Sequence, residues 1–108
     1  MKFNVELTED AYGDLCDISD YIASSDSSPK ALHVLDRIEA VMAGLSENPL
    51  RGNIVKELKD LGINDFRELH FKPYRVIYRV VGDKVYVMVV SDGRRDMQSL
   101  LERRLLEG

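Results

Sequence analysis

The spacing of apolar residues in the first half of the chain predicts one strand followed by two helices. Residues 2–7 alternate polar and apolar, which is typical of a short strand. Thr8 can cap the helix that follows, in which apolar residues recur every three or four positions up to residue 24. Ser28 and Pro29 mark a second helix start, and the same periodicity carries that helix to about residue 46. Two adjacent amphipathic helices joined by a short polar break predict a helical hairpin.

In the second half of the chain, from residue 65, apolar residues recur at every second position, as in strands. Residues 49–64 are predicted to be irregular, with Gly52 and Gly62 as breaks. A last apolar stripe after the Asp92-Gly93 turn predicts a short helix at the C-terminal end. The three predicted strands cover residues 66–71, 74–81 and 84–91, and the helical stripe consists of Met97, Leu100, Leu101 and Leu105.

These elements follow the order β-α-α-β-β-β-α, which predicts an α+β fold with the helical hairpin packed on a small, twisted, mostly antiparallel sheet. The 108 residues are expected to form one domain, residues 1–108. The last strand is apolar on both faces, so it should be a central strand, covered on one face and shielded on the other. Strict alternation would place Val85, Val87 and Val89 on one face and Tyr86, Met88 and Val90 on the other.

Composition and charge exclude several classes of protein. With 44% apolar and 31% charged residues the chain has the composition of a globular protein. A single cysteine excludes an internal disulfide, and no stretch resembles a signal peptide or a membrane span, so a cytoplasmic protein with no membrane contact is expected. A net charge of −4 argues against broad nucleic-acid binding, and no direct sequence-specific DNA binding is expected.

Metal and cofactor chemistry has no visible motif here. The chain has Cys16, His33 and His70 but no spacing typical of metal ligands, and Gly82 and Gly93 stand alone at turns instead of forming a phosphate loop. No metal and no cofactor are therefore expected.

Arginines on and after the strands are the strongest candidates for chemistry. Several guanidinium groups near one open sheet face could clamp phosphates or carboxylates. The alternative is that each pairs with a nearby acid such as Glu57, Glu68 or Asp96. Pairing is the preferred interpretation for Arg67 and Arg79, whereas both interpretations stay open for Arg75, Arg94 and Arg95.

Taken in order, these residues resemble the RelE/ParE superfamily, the toxins of type II toxin–antitoxin modules. The resemblance covers nearly the whole chain, although no single motif in it is specific. It rests on residues 15–23, on Pro29, Ala31, Ile38 and Leu45, on Asn48-Pro49 and Gly52, and on residues 66–69, 74–78 and 93–96.

The resemblance implies a partner and one of two activities. Such toxins are held inactive by a cognate antitoxin; RelE-like members cut mRNA on the ribosome, and ParE-like members inhibit DNA gyrase. Arg67, Arg75 and Arg95 match basic positions of the nuclease branch, and they are the catalytic residues if the chain is a nuclease. Leu69, however, stands at a second basic position and Leu101 at the tyrosine position of that branch.

We therefore expect a ParE-like toxin that inhibits DNA gyrase by protein–protein contact and is not an enzyme. The predicted surface for the target or the antitoxin consists of Arg94, Arg95, Met97, Leu100, Leu101 and Leu105. Two alternatives remain. One is a ribosome-dependent endoribonuclease with Glu68 or His70 as its base. The other is a degenerate, non-toxic module that only binds a partner.

Overall fold

The computed structural model describes residues 2–106, and it contains the predicted helical hairpin and sheet. The helices are α1 (Glu9–Ser25), α2 (Ser28–Ala43), α3 (Lys56–Lys59) and α4 (Met97–Leu101), with a 3₁₀ turn at Gly44–Ser46 and a π-helical turn at Glu102–Leu106. The strands are β1 (Asn4–Leu7), β2 (Asn53–Ile54), β3 (Phe66–Phe71), β4 (Tyr74–Val81) and β5 (Lys84–Asp92).

One five-stranded sheet has the order β1-β5-β4-β3-β2. Strands β2 to β5 pair antiparallel, whereas β1 runs parallel to β5, with Asn4 opposite Lys84 and Leu7 opposite Val87. The predicted α+β fold with a mostly antiparallel sheet is therefore confirmed, and β5 is an interior strand, as its apolar character indicated.

Side-chain caps fix where the two long helices begin. The Thr8 hydroxyl accepts a hydrogen bond from the backbone N–H of Ala11 at 3.1 Å, which confirms the predicted cap of α1. At α2 the capping hydroxyl belongs to Ser27, which accepts from the backbone N–H of Lys30 at 3.2 Å. Ser28 is thus the first helical residue, with Pro29 directly after it in the first turn.

The sheet is covered on both faces by separate apolar clusters. The hairpin cluster, between the two long helices and the sheet, includes Leu15, Ile38, Val76 and Tyr78. The opposite cluster lies under α3 and α4 and consists of Val55, Leu58, Phe66, Ile77, Val89, Met97, Leu100 and Leu101. The shield expected on the second face of β5 is therefore this pair of short helices.

A bulge in β5 overturns the strict alternation expected for that strand. Tyr78 pairs with Val87 and Ile77 pairs with Val89, so Met88 is an extra residue that has no partner on β4. As a result Val85, Val87 and Val90 face the hairpin cluster, and Val89 belongs to the opposite cluster. The predicted grouping of Val89 with Val85 and Val87 is wrong because one inserted residue exchanges the two faces.

The segment predicted to be irregular also contains two short elements. β2 pairs with β3, with Asn53 opposite Glu68, and α3 follows at once. Gly52 precedes them and donates its backbone N–H to the buried Tyr78 hydroxyl at 3.0 Å. A Cβ at position 52 would lie 2.6 Å from the carbonyl oxygen of Glu68, so only glycine allows this close approach. Over residues 2–106, no helix is both long and apolar enough to span a membrane.

Candidate functional site

Arg75 lies at the centre of a partly buried ionic cluster that joins three elements. Its guanidinium donates to both carboxylate oxygens of Glu57, on α3, at 2.8 Å each. It also donates to Glu68 on β3, two residues before the cross-strand neighbour His70, at 2.6 and 3.0 Å. His70 completes the cluster, with its Nε2 3.0 Å from a Glu68 oxygen. The pairing interpretation is therefore confirmed for Arg75, and it holds with two acids at once.

The pKa shifts in the cluster follow from these contacts. The hydrogen bonds that Arg75 donates to Glu57 and Glu68 keep the pKa of Arg75 above its ordinary value and outweigh the opposing effect of burial. The Arg75 hydrogen bonds also lower the pKa of Glu57. The side chain of Arg75 is only 14% exposed and that of Glu68 only 7%. Because one guanidinium faces two carboxylates, the cluster as a whole presents no free positive charge.

The Asp92–Asp96 turn packs directly on the Arg75 side chain. The backbone N–H of Gly93 donates to the carbonyl of Pro73 at 2.8 Å, and a Cβ at Gly93 would lie 2.9 Å from Cδ of Arg75. Arg94 forms an exposed ion pair with Asp92 at 2.6 Å, which lowers the pKa of the Asp92 carboxyl. Arg95 is exposed, and the one polar contact of its side chain among residues 2–106 is a 3.5 Å approach to the Ser91 hydroxyl.

The structure does not bring the three predicted catalytic arginines together. Arg67 faces the hairpin side of the sheet, where it donates to the backbone carbonyl of Gly52 at 2.8 Å. Arg75 points from the opposite face into its ionic cluster, and Arg95 lies on the turn beyond β5. Arg79 stacks over the Phe66 ring at 5.7 Å. The alternative of one shared guanidinium face fails for Arg67, which points away from Arg75 and Arg79 because successive strand positions face opposite sides. The preferred pairing of Arg67 and Arg79 with acids is wrong, since Arg67 donates to backbone carbonyls and Arg79 stacks on Phe66.

Of the residues predicted to bind a target or antitoxin, the apolar ones lie in or against the core and the two arginines are exposed. Met97, Leu100 and Leu101 fill the opposite cluster and are at most 5% exposed, and Leu105 packs against them. Arg94 and Arg95 are exposed beside a groove of about 400 Å³ between α1 and the end of β5. The α1 wall of this groove includes Asp17, Ile18 and Tyr21.

A second ionic contact, which the sequence did not reveal, lies at the edge of β5. The Asp14 carboxylate accepts from the backbone N–H of Val90 at 2.9 Å and from the guanidinium of Arg104. Arg104 also donates to the carbonyl of Met88 at 3.2 Å. β1 ends opposite Val87, so these two side chains satisfy backbone groups of β5 beyond the end of its neighbour.

One signal for this contact was present in the sequence. Asp14 lies on the apolar stripe of α1, three residues after Ala11 and four before Ile18, so its carboxylate had to face the sheet. Within residues 2–106 no group of three potential metal ligands occurs.

Residues 5–97 match the family described as the ParE toxin of the type II toxin–antitoxin system parDE. This chain belongs to the ParE toxin family. A toxin–antitoxin function is thereby established, and the partner that membership in a parDE-type family implies is a cognate antitoxin.

Individual relatives agree with the ParE assignment. Toxin ParE3 of Caulobacter vibrioides is 28% identical over 97 residues, which cover 90% of this chain and 93% of that toxin. A structure of the chromosomal ParDE system from P. aeruginosa superposes with a TM-score of 0.71 at 19% identity, covering 84% of this ParE-type chain and 96% of the other.

The RelE branch shares the same fold. The free E. coli toxin RelE, solved as a mutant, gives a TM-score of 0.65 at 16% identity over 98% of this chain and all of that chain. The toxin–antitoxin complex RelBE2 of Mycobacterium tuberculosis gives 0.57 at 22% identity over 85% of this chain and 92% of that chain. At these identities the likeness shows the α+β architecture alone.

Proposed function

We propose that this ParE-family toxin inhibits growth by protein–protein contact with DNA gyrase in the cytoplasm, without cleaving RNA. Family membership supports this choice of target, since ParE-like toxins inhibit gyrase. The observation that supports a mechanism without nuclease chemistry is the occupation of the Arg75 guanidinium by Glu57 and Glu68.

RNA cleavage needs a free cation where negative charge develops on the phosphate. Arg75 has four hydrogen bonds to carboxylate oxygens, at 2.6 to 3.0 Å. A phosphate could reach the guanidinium only if these bonds broke and two carboxylates came to lie beside the phosphate. Both changes are unfavourable, because like charges repel and a buried carboxylate without a partner is costly.

The base proposed for the nuclease alternative is occupied as well. Glu68 is buried and directs both of its oxygens towards Arg75. His70 has a half-exposed side chain, but its Nε2 points to Glu68. These contacts favour a structural role for the cluster, which ties α3 and the Gly93 turn to the sheet.

Arg95 is the residue of the predicted binding set that we assign to the target contact. It is exposed, has no carboxylate partner among residues 2–106 and borders the groove beside α1. Arginine is enriched at the centres of protein interfaces because it combines charge with a flat contact surface.

The open edge of β1 is the surface that we assign to the antitoxin. Asn4 and Thr8 direct their backbone N–H groups to β5, so the intervening residues Val5 and Leu7 direct theirs outward. The groove beside this edge has a volume of about 460 Å³ and is lined by Val5, Leu7 and Met42. An extended antitoxin segment could add there as a further strand.

Two assays on the purified toxin separate the activities. In the first, the toxin is added to DNA gyrase and relaxed plasmid, and we expect supercoiling to fall with toxin concentration. In the second, the toxin is added to translating ribosomes, and we expect the mRNA to stay intact while a RelE toxin in a parallel reaction cleaves it. Intact supercoiling together with cleaved mRNA would reverse the proposal. Loss of that cleavage in Arg75→Lys would then assign the arginine to catalysis.

A further inference from the structure

A small pocket opens at the end of the helical hairpin, where the α1–α2 connection meets the turn between β3 and β4. Its floor is apolar and includes Ile22, Val34 and Phe71, and its volume is about 260 Å³. Binding sites for small molecules usually measure about 300–1,000 Å³. This pocket is therefore better suited to one large side chain of a partner than to a whole small molecule.

The rim of the pocket has two lysines against one acid. Lys30 and His33 lie on it from α2, and Lys72 lies on it from the β3–β4 turn. Among residues 2–106 no carboxylate lies within 4.0 Å of the Lys30 or Lys72 amine, so both amines are available to a partner. Asp26 is the one acid lining the pocket, and it forms no ion pair there. The local excess of positive charge contrasts with the net charge of −4 of the whole chain.

We propose that this pocket binds an acidic segment of a partner protein. One large apolar side chain of that segment occupies the floor, and carboxylates on either side of it meet Lys30 and Lys72. Interfaces combine a desolvated apolar centre with a polar rim in the same way. The proposal is independent of the target, because the pocket includes neither Arg94 nor Arg95.

Nucleic acid fits these features less well than a peptide. Binding to a phosphate backbone needs many cations along a track, and here only two lysines border an apolar floor. The acidic net charge of the chain would oppose the approach of a polyanion, whereas a short acidic segment meets mainly the local charge.

The test uses a peptide in which leucine and phenylalanine are flanked on each side by two glutamates. Titrated into the ¹⁵N-labelled protein, it should shift the amide signals of Val34 and Phe71. The same peptide with lysines in place of the glutamates should not shift them. In the variant Lys30→Glu/Lys72→Glu we expect the affinity for the acidic peptide to fall on the order of tenfold or more, since attraction becomes repulsion.

Lys56→Glu/Lys59→Glu is the matched control, because it reverses two exposed lysines of α3 and changes the net charge by the same amount. It should bind the acidic peptide as the wild type does. The proposal would be overturned if both double variants lost affinity for the acidic peptide equally, or if the acidic and basic peptides bound equally well. An oligothymidylate that shifts the same amides more strongly than the acidic peptide would replace it with a nucleic-acid site.

Discussion

The carboxylate of Asp14, on the first helix, is bound by the guanidinium of Arg104, 90 positions later in the chain. The two side chains are 11% and 20% exposed, so water screens the pair only weakly. They also occupy the N–H of Val90 and the carbonyl of Met88, which β1 does not reach. One ion pair therefore joins the first helix to the C-terminal turn and covers the part of the β5 edge that β1 leaves open.

The first prediction concerns this pair. Asp14→Ala should lower the free energy of unfolding by about 3 kcal/mol, because it leaves a buried guanidinium and a backbone N–H without partners. The measurement is urea unfolding followed by circular dichroism. Asp17→Ala, one turn later on the same helix and exposed, is the control and should change stability by less than about 0.5 kcal/mol.

A double-mutant cycle sharpens the test of the pair. The double variant Asp14→Ala/Arg104→Ala should lose less free energy of unfolding than the two single variants lose together. The reason is that the second change removes the charge that the first left unpaired. Strict additivity would mean that the contact contributes no coupling energy, which the geometry contradicts.

The second prediction concerns the charge balance around Arg75. Arg75→Met should destabilise the fold by about 3 kcal/mol or more, because it leaves Glu57 and Glu68 partly buried without a counter-charge. The triple variant Arg75→Met/Glu57→Gln/Glu68→Gln should recover much of that loss. Thermal and urea unfolding measure both. A triple variant less stable than the single one would show that the carboxylates have a role beyond balancing Arg75.

The third prediction is a dependence of stability on pH. Arg75 lowers the pKa of Glu57 in the folded state, so the folded protein favours the charged carboxylate more than the unfolded chain does. The resulting stabilisation is complete when the pH is above the pKa of the unfolded chain, about 4.3. It is lost as the pH falls through the lower pKa of the folded state. The wild type should therefore exceed Glu57→Gln in stability at pH 6, and the difference should shrink at pH 4 and again at pH 3. An equal difference at all three values, measured by urea unfolding, would contradict this origin.

The fourth prediction compares two glycines. Gly52→Ala should destabilise the protein by about 1–3 kcal/mol, because the new Cβ would meet the Glu68 carbonyl and the Tyr78 hydroxyl and push β2 from the sheet. Gly13→Ala lies inside α1 with no atom within 4 Å of the new Cβ. It should stabilise the protein by about 0.5–1 kcal/mol, since alanine is the better helix former. Melting temperatures that move in the same direction for both would contradict this reading of the two sites.

The elements that the sequence predicted correctly are those whose pattern is local. Both long helices and the three long strands repeat their apolar positions over enough residues to determine type and limits. β2 and α3 were missed because two and four residues are too few to show a period, and β2 exists only through its pairing with Glu68 and Arg67.

The site was harder to predict for the same physical reason. Glu57 and Glu68 were recognised as possible partners for arginines, but which arginine they meet depends on α3, an element without a sequence signal. The bulge at Met88 likewise depends on pairing with β4, and it decides which face Val89 and Val90 occupy. Residue types indicated the chemistry, whereas the partners were set by contacts between distant segments.

The last prediction tests the target surface. Arg95→Ala should reduce growth inhibition and gyrase inhibition on the order of tenfold or more, which is the effect of removing an arginine from the centre of an interface. It should leave the melting temperature unchanged, because the 3.5 Å approach to Ser91 is the one polar contact that the side chain loses among residues 2–106. Arg103→Ala removes another exposed arginine, in the π-helical turn, and serves as the control that keeps full activity. If both variants inhibit gyrase as strongly as the wild type, Arg95 lies outside the contact. If both lose activity equally, overall positive charge is responsible and the groove beside α1 has no specific role.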